Sequence, residues 1–431
     1  MNALLFARLT LARLRVSGDR EGMRIYRDRR VAELIAHAYR HVPYYRRRME
    51  EAGLRPSDLR SEEDLRAMPV SDKNALRKAG NDIFSDAYRA NCLPSKFTSG
   101  SSGEPIRIRR TFPERVTGSL IQRRMLATYG AAGRMRTAAI SMHGAAPRPG
   151  GRAGAWTALS DIIQGTRLNL DCRRDPLELV DALERFRPDI VLGYAGTLAM
   201  MGEQLLARGP LQHTPRMVLS GSETLTPERR RMIRDGFGVP VYDYYAALET
   251  GVIAWECPTT GLYHLADDHV VLHVERDGRP VAAADGARGE AIVTNLHAYA
   301  MPFIRYRLGD ALVMGPDTCP CGAPFATLRS IEGRWMDHFV MPDGGRLHPM
   351  GIAGEFVLDE PRIRQYQMIQ ESVDRIVVHA VVSEPDDRMR RFIEQRITDY
   401  CGAGVHVHVK WVDHIEPDVS GKYKLFVSRV A

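Results

Sequence analysis

Residues 216–251 read RMVLSGSETLTPERRRMIRDGFGVPVYDYYAALETG, and the pattern of this stretch decides the fold class. The apolar run at its start is typical of a buried strand that ends in a loop. TPERRRMIRDGFG then predicts a helix, and VPVYDYY predicts a second strand. The order strand, helix, strand is the repeating unit of α/β sheets.

The same alternation covers the chain from residue 97 up to the β-rich region described below. Its predicted strands are IRIRRT, TAAISM and DIVLGY, and its predicted helices are ERVTGSLIQRRMLATYG, LELVDALERF and TLAMMGEQLLARG. We therefore predict an α/β fold with mainly parallel sheets. LYHLADDHVVLHVE, EAIVTNL and MPFIRYRLGDALVM read as strands of a β-rich subdomain.

The two ends of the chain differ from this central region. Residues 20–90 have apolar positions at helical spacing. The last ninety or so residues run strand, strand, helix, strand, which predicts a compact α+β module. The predicted organisation is a large domain over 1–333 with its β-rich part at about 255–333, a hinge at 334–337, and a small mobile lid domain over 338–431.

The composition indicates a globular protein. Of 431 residues, 44% are hydrophobic and 26% are charged. No apolar run approaches the ~18 residues that span a bilayer, and the arginine-interrupted start predicts an amphipathic helix rather than a signal peptide. Six unevenly spaced cysteines do not suggest disulfides, which favours a cytoplasmic location. The positive charges that give the net charge of +7 are scattered among acidic residues, so nucleic-acid binding is weakly supported, and an anionic small molecule such as a nucleotide fits the composition equally well.

Three short motifs carry groups suited to nucleotide chemistry. FTSGSSGEPIRIRR (97–110) contains a hydroxyl- and glycine-rich loop whose N–H groups can bind phosphate, although a surface linker explains the same residues. YDYYAALETG places Glu249 after a strand, where a carboxylate suits Mg²⁺. IRYRLGDALV places Asp310 after Gly309 in a predicted turn, where it can accept both ribose hydroxyls. An ordinary acidic turn is the alternative for both carboxylates.

The order of these motifs resembles a known family. TSGSSGEP, YYAALE, YRLGD, GRWMD and a late GK resemble the adenylate-forming superfamily of acyl-CoA synthetases, and within it the phenylacetate–CoA ligase-like branch. The N-terminal segment VPYYRRRMEEAGLRPSDLRSEEDLRAMPVSDKNALR is also similar to that branch, so the resemblance covers nearly the whole chain. Each motif alone is weakly specific, whereas the ordered set is specific.

The resemblance implies a role for each motif. The phosphate loop for ATP would consist of Thr98, Ser99, Gly100, Ser101, Ser102 and Gly103. Tyr245 would stack near the adenine, Glu249 would lie near Mg²⁺ and the phosphates, and Asp310 would bind the ribose. Arg334 would lie in the hinge beside the nucleotide. Gly221, Ser222 and Glu223 follow a predicted strand and could approach the adenine or the acyl group, and the acyl pocket would include His143, Tyr244 and Ala246.

Lys422, in SGKYK, would bridge the acyl carboxylate and the α-phosphate. Attack of a carboxylate on ATP brings two anions together, and a cation must offset their repulsion. Rotation of the small domain would then present another face to the attacking thiol. Lys424 is the alternative, but Lys422 directly follows the glycine of its loop. Lysine is scarce in this arginine-rich chain, which suggests that arginine does not replace it here.

The chain departs from the family pattern at several positions. Relatives often have lysine at the position of Glu104, glycine at that of Ala246, and threonine or serine at that of Leu248. They often have paired aspartates after the hinge Gly-Arg, where this chain has Met336 and Asp337.

A separate set of residues suits a metal. Cys257 and His264 lie in ECPTTGLYH, and Cys319 and Cys321 lie in TCPCG. Three thiols and one imidazole form a tetrahedral zinc set, and some relatives carry a similar set. Reduced, unpaired thiols are the alternative, because the Cys-x-Cys spacing is tight. We expect structural Zn²⁺.

These observations together predict an ATP- and Mg²⁺-dependent ligase. It would convert a carboxylic acid, by resemblance an aryl or arylacetic acid, to an acyl-adenylate and transfer the acyl group to CoA. Transfer to an amine or a carrier-protein thiol is one alternative, and a non-catalytic nucleotide-binding protein is another. The expected partners are the acid and CoA, with no nucleic acid and no membrane span, and the resemblance allows a homodimer.

Overall fold

The structure is a computed structural model of the chain. It describes residues 20–88, 93, 95–97, 106–131, 133–141, 165–282, 284–334, 339–343, 346–347, 360, 362–402, 404–418 and 423–430, with only the backbone at 95–97, 334 and 346. These residues divide into two compact units, the first drawn from 1–137, 146–167 and 242–331 and the second from 138–145, 168–241 and 332–431.

The described helices are α1 (Arg20–His41), α2 (Pro43–Glu51), α3 (Lys73–Ala79), α4 (Phe112–Thr128), α5 (Pro176–Phe186), α6 (Ala195–Arg208), α7 (Pro227–Phe237) and α8 (Asp387–Cys401). Short 3₁₀ helices cover Pro56–Asp58, Asp64–Ala67 and Gly80–Ile83. None of the helices in the described part of the chain is long and apolar enough to cross a membrane.

The described strands are β1 (Ser95–Phe97), β2 (Arg107–Arg109), β3 (Thr137–Ser141), β4 (Arg167–Asp171), β5 (Ile190–Gly193), β6 (Met217–Gly221), β7 (Val241–Ala247), β8 (Gly251–Glu256), β9 (Tyr263–Leu265), β10 (Val270–Arg276), β11 (Arg279–Pro280), β12 (Arg288–Asn295), β13 (Tyr306–Met314), β14 (Thr327–Arg334), β15 (Phe339–Val340), β16 (Arg346–Leu347), β17 (Ile363–Ser372), β18 (Arg375–Val382), β19 (His406–Trp411) and β20 (Phe426–Ser428).

The first unit is built on strands in the order β11-β10-β12-β13-β14-β9-β8-β7. The pairs β10–β12, β12–β13, β8–β9 and β7–β8 are antiparallel. Helix α1 buries Val31, Leu34, Ile35 and Ala38, a spacing that forms one apolar face, and these residues belong to the core of the sheet. Helix α4 begins at a capping box in which Thr111 and Glu114 satisfy each other's backbone N–H groups.

The second unit contains strands in the order β6-β5-β3-β4, and β5 and β6 are parallel. Helices α5, α6 and α7 contribute to its apolar core, which includes Leu183, Leu198 and Ile233. Thr226 caps the start of α7, and Gly238 ends that helix with a left-handed φ of 66°.

The C-terminal part of the second unit has its own four-stranded sheet and core. Its strand order is β19-β18-β17-β20. The β17–β18 pair is antiparallel, whereas β18–β19 and β17–β20 are parallel. Helix α8, which Asp386 caps, contributes Met389, Ile393 and Ile397 to a core with Met368 of β17. These elements follow the predicted order of the small module.

The predicted α/β class is confirmed, but two strand predictions are wrong in detail. LYHLADDHVVLHVE forms two strands, β9 and β10, because the chain turns between them and buries Asp268 against Arg124, which donates hydrogen bonds of 2.6 and 2.7 Å to its carboxylate. MPFIRYRLGDALVM becomes a strand only at Tyr306. The hinge at 334–337 stays a prediction.

Candidate active site and metal centre

Several predicted site residues lie outside the described part of the chain. They are Thr98 to Gly103, His143 and Lys422, together with the side chain of Arg334. Their roles therefore stay predictions. The first unit places the other nucleotide-motif residues on or next to β7 and β13.

Tyr245 and Asp310 are brought together although they lie 65 residues apart in the sequence. Tyr245 is buried on β7, and its hydroxyl donates a 2.6 Å hydrogen bond to Oδ2 of Asp310. A short bond from a buried phenol holds the carboxylate in one orientation. The residues expected near the adenine and the ribose are thus direct neighbours.

The expectation that Asp310 lies in a turn is wrong, because Asp310 lies inside β13. The register between β12 and β13 shifts between Glu290 and Ile292, and Gly309 has a φ of 81°. This is a β-bulge, which bends a strand and changes the direction of a side chain. Glycine is needed at the left-handed position. The Gly-Asp pair therefore places a carboxylate within a sheet.

Glu249 lies just after β7 and contacts the same strand as Tyr245, namely β13. Oε1 of Glu249 accepts a hydrogen bond of 3.4 Å from the hydroxyl of Tyr306, the first residue of β13. Tyr245 and Glu249 are four residues apart, as are Tyr306 and Asp310, so two cross-links join β7 and the turn after it to β13. Each of the two motif carboxylates therefore has a tyrosine hydroxyl as a hydrogen-bond partner, and their assignment to one nucleotide site stays a prediction.

Arg110 is a site residue that the sequence analysis missed. Its Nη2 donates a 2.6 Å hydrogen bond to the carbonyl of Leu248, the residue before Glu249. Burial lowers the pKa of Arg110, while the carboxylates of Glu114 and Glu249 oppose that shift. The only signal in the sequence was the double arginine that ends IRIRR. Arg110 links the end of strand β2, which follows the predicted phosphate loop, to the Glu249 motif.

The backbone after Glu249 is held by two further polar side chains. The carbonyl of Thr250 accepts hydrogen bonds from Nε2 of His269, at 2.9 Å, and from Nδ2 of Asn295, at 3.0 Å. Gly251 then continues with a φ of 86°. A turn held at successive residues gives Glu249 a fixed base.

Other predicted contact residues take up two separate positions. Tyr244 and Ala246 lie two residues apart on β7, across a register shift relative to β8. In the second unit, Gly221 ends β6, Ser222 has a left-handed φ of 66°, and the Glu223 carboxylate is 3% exposed. The assignment of all five residues to ligand binding stays a prediction.

The four proposed zinc ligands form a compact cluster. One ligand atom from each of Cys257, His264, Cys319 and Cys321 lies within 4.8 Å of the others. Sγ of Cys321 lies 3.3 Å from Nε2 of His264. Three sulfurs and one nitrogen at this spacing fit a tetrahedral zinc ion, whose bonds to such atoms are about 2.0–2.3 Å long.

The fold explains why these four residues meet. His264 of β9 is paired with Trp255 of β8 and with Thr327 of β14. Cys257 follows β8 directly, and the cysteines of TCPCG precede β14. Burial alone would raise the pKa of the Cys257 thiol, but hydrogen bonds from Thr260 and nearby backbone N–H groups lower it. A lowered pKa of Cys257 favours the thiolate, which is the form that binds metal, whereas burial and the neighbouring thiols raise the pKa of Cys321 to about 11.

Comparison with known proteins gives one domain-level match. The family model described as the CapK C-terminal domain matches residues 339–429. This range lies in the small C-terminal module with β17 to β20.

Similar curated proteins cover most of the chain. A phenylacetate-coenzyme A ligase from Thermus thermophilus is 26% identical over 377 residues, which are 85% of this chain and 83% of that protein. A phenylacetate-coenzyme A ligase from Pseudomonas putida is 24% identical over 416 residues, or 90% of each chain.

A solved structure has the same fold. The crystal structure of 2-hydroxyisobutyryl-CoA ligase in complex with 2-HIB-AMP, in the postadenylation state, has a TM-score of 0.74 and 19% identity. The match covers 100% of this chain and 90% of that protein. The ordered motifs and these relatives agree: over most of its length the chain is similar to phenylacetate-coenzyme A ligases of the adenylate-forming superfamily, and it shares the fold of a solved CoA ligase.

Proposed function

We propose that this protein activates a carboxylic acid with ATP to an acyl-adenylate and pyrophosphate, and then transfers the acyl group to CoA with release of AMP. The observation that carries the proposal is the cross-linking of β7 and β13 by the Tyr245–Asp310 and Glu249–Tyr306 pairs. These pairs unite the two motifs that resemble the nucleotide site of the family. An aryl or arylacetic acid is the proposed substrate class.

The charge of each site residue indicates which part of the nucleotide it would bind. Asp310, oriented by Tyr245, would accept hydrogen bonds from the ribose hydroxyls, and the Tyr245 ring would lie near the adenine. Glu249 is the described carboxylate that would hold Mg²⁺, an ion that prefers oxygen ligands and neutralises phosphate charge. The loop from Thr98 to Gly103 and Lys422 would bind the phosphates and the reacting carboxylate.

CoA is the favoured acceptor. The relatives that cover most of the chain are named CoA ligases, which does not favour transfer to an amine or a carrier-protein thiol. A purely nucleotide-binding role is not favoured for the same reason. A cytoplasmic location and a homodimer remain predictions.

The proposal is tested by ATP–pyrophosphate exchange across a panel of carboxylic acids, with aryl, arylacetic and short aliphatic members. We expect exchange that depends on the acid and is highest with an aryl or arylacetic member. Product analysis with and without CoA then separates the acceptors, because the thioester forms only when CoA is present. Absence of exchange with every acid would contradict the proposed function.

We also propose that Cys257, His264, Cys319 and Cys321 hold a structural zinc ion. We expect elemental analysis of the purified protein to find about one zinc per chain. Cys319→Ser is expected to lower the zinc content and the Tm, because metal binding contributes to folding. The control is Cys401→Ser, which removes a free thiol of the C-terminal module and should leave the zinc content unchanged. A zinc content below about a tenth of an equivalent in the wild type would count against the site.

A further inference from the structure

The Glu223 carboxylate lies at a sharp change of direction after β6. Ser222 adopts a left-handed φ of 66°, a conformation uncommon for a residue with a side chain. The turn directs Glu223 inward, where its side chain is 3% exposed. Strain of this kind persists where the surrounding structure requires it. The contacts of Glu223 therefore show what the strained backbone at Ser222 supports.

One oxygen of Glu223 caps a helix. Oε2 accepts a 2.7 Å hydrogen bond from the backbone N–H of Gly196, in the first turn of α6. Tyr194, the residue at the N-cap of α6, makes no side-chain cap. A carboxylate is well placed at a helix N-terminus, where N–H groups lack partners within the helix.

The other oxygen binds a residue 200 positions away. Oε1 accepts a 2.8 Å hydrogen bond from the backbone N–H of Tyr423. Tyr423 directly follows Lys422 in the sequence. One buried carboxylate thus joins the start of α6 to the C-terminal segment, within the second unit.

The Tyr423 ring also fits against α6. A Cβ atom at Gly196 would lie 2.4 Å from Cδ2 of Tyr423, so only glycine leaves space for the ring. The Tyr423 hydroxyl donates a 3.0 Å hydrogen bond to Sδ of Met200, one turn further along α6. We call Gly196, Met200 and Glu223 the Tyr423 seat. Both the backbone and the side chain of Tyr423 are held there.

We propose that Glu223 is a positioning residue for the adenylation half-reaction, because it fixes the backbone at Tyr423, next to Lys422. The inference rests on the proposed function, in which Lys422 acts in adenylation. Both carboxylate oxygens accept a backbone N–H, and Oε2 also lies 3.7 Å from Nη1 of Arg229, so in this inference Glu223 acts through its contacts with the chain. Its loss slows adenylation and leaves attack of CoA on a finished acyl-adenylate unaffected.

The main variant is Glu223→Gln, which keeps the shape of the side chain. A glutamine amide has one acceptor oxygen and one donor nitrogen, so it cannot accept both N–H groups. The second variant, Gly196→Ala, crowds the Tyr423 ring. Adding Tyr423→Ala to Gly196→Ala removes that ring and relieves the crowding.

Glu203→Gln is the matched control. Glu203 also lies on α6 and forms a 2.8 Å ion pair with Arg364 of β17, but it is 37% exposed and is not part of the Tyr423 seat. The same substitution on the same helix therefore separates the Tyr423 seat from a surface ion pair, which contributes little.

We expect Glu223→Gln to lower kcat for ATP–pyrophosphate exchange by about tenfold or more, the effect of losing a hydrogen bond to a charged group. The KM for ATP and the rate of thioester formation from synthetic acyl-adenylate and CoA should stay within about twofold. Gly196→Ala should show the same pattern. The double variant Gly196→Ala/Tyr423→Ala should have an exchange kcat at least about threefold higher than that of Gly196→Ala. Glu203→Gln should behave as the wild type.

Amide hydrogen exchange gives a readout that needs no activity. A peptide with Tyr423 in its interior should exchange faster in Glu223→Gln and Gly196→Ala than in wild type or Glu203→Gln. Equal loss in both half-reactions, a rise in the KM for ATP alone, or unchanged exchange at Tyr423 would each overturn the inference. If the wild type adenylates no acid, the proposed function fails, yet the exchange measurement still decides whether Glu223 holds Tyr423.

Discussion

Lys422→Ala is expected to lower ATP–pyrophosphate exchange by about 10²–10³-fold, the usual effect of removing one group that stabilises charge in a transition state. In the proposed reaction the acid carboxylate and the α-phosphate, both anionic, must approach each other. An ammonium group between them offsets the repulsion most strongly as the new P–O bond forms. Thioester formation from synthetic acyl-adenylate should persist, because in that step the CoA sulfur attacks the acyl carbonyl carbon and no carboxylate has to approach the α-phosphate.

Lys424→Ala is the matched control for Lys422→Ala. The Lys424 side chain is 45% exposed, and its Nζ lies 3.7 Å from the Asp418 carboxylate, so its charge is partly balanced at the surface. Its loss should change exchange by no more than about threefold. Lys422→Arg should remain strongly impaired, since a planar guanidinium differs in shape from a compact ammonium. Exchange by Lys422→Ala at the wild-type rate would remove the assignment.

Local sequence patterns predict those parts of the fold whose causes are local. TPERRRMIRDGFG has its cap at Thr226 and its terminating glycine at Gly238, so the helix was evident before any contact was known. The Cys/His cluster could also be predicted, because Cys257 and His264 lie in one short stretch and the cysteines of TCPCG in another. Only the meeting of the two stretches, through β8, β9 and β14, required the sheet.

Features that depend on distant partners were not predictable. The sequence pattern predicts that Asp268 belongs to a continuous strand. In the structure the strand is interrupted there, and Asp268 forms a buried ion pair with Arg124, which lies 144 residues away in the sequence. The position of Glu223 after a strand predicts an approach to the adenine or the acyl group, but its hydrogen bond with the backbone of Tyr423, 200 residues further on, has no local signal. The sequence predicts only that Arg110 belongs to a strand. Its hydrogen bond to the carbonyl of Leu248 could not be predicted, because the two residues are 138 positions apart. The structural role of a buried charged group depends on the partner that offsets its desolvation, and that partner can be far away in the sequence.

Asp310→Ala is expected to lower kcat/KM for ATP by about 10²-fold, because two hydrogen bonds from ribose hydroxyls to one carboxylate are lost. The loss should lie mainly in KM if the contact is equally strong in the ground state and the transition state. Tyr245→Phe should have a smaller effect, about threefold to tenfold, since it removes only the 2.6 Å hydrogen bond that orients Asp310. Asp285→Ala, at an exposed ion pair with Arg329, should have no effect.

The contact with ribose is tested most directly by comparing ATP with 2′-deoxy-ATP. The wild type should prefer ATP by about tenfold or more, because the deoxy analogue leaves part of the Asp310 carboxylate without its partner. Asp310→Ala should use both nucleotides with nearly equal kcat/KM, whereas Tyr245→Phe should retain most of the preference. An Asp310→Ala enzyme that still discriminates against 2′-deoxy-ATP would place the ribose elsewhere, and the bulge at Gly309 would then serve the sheet alone.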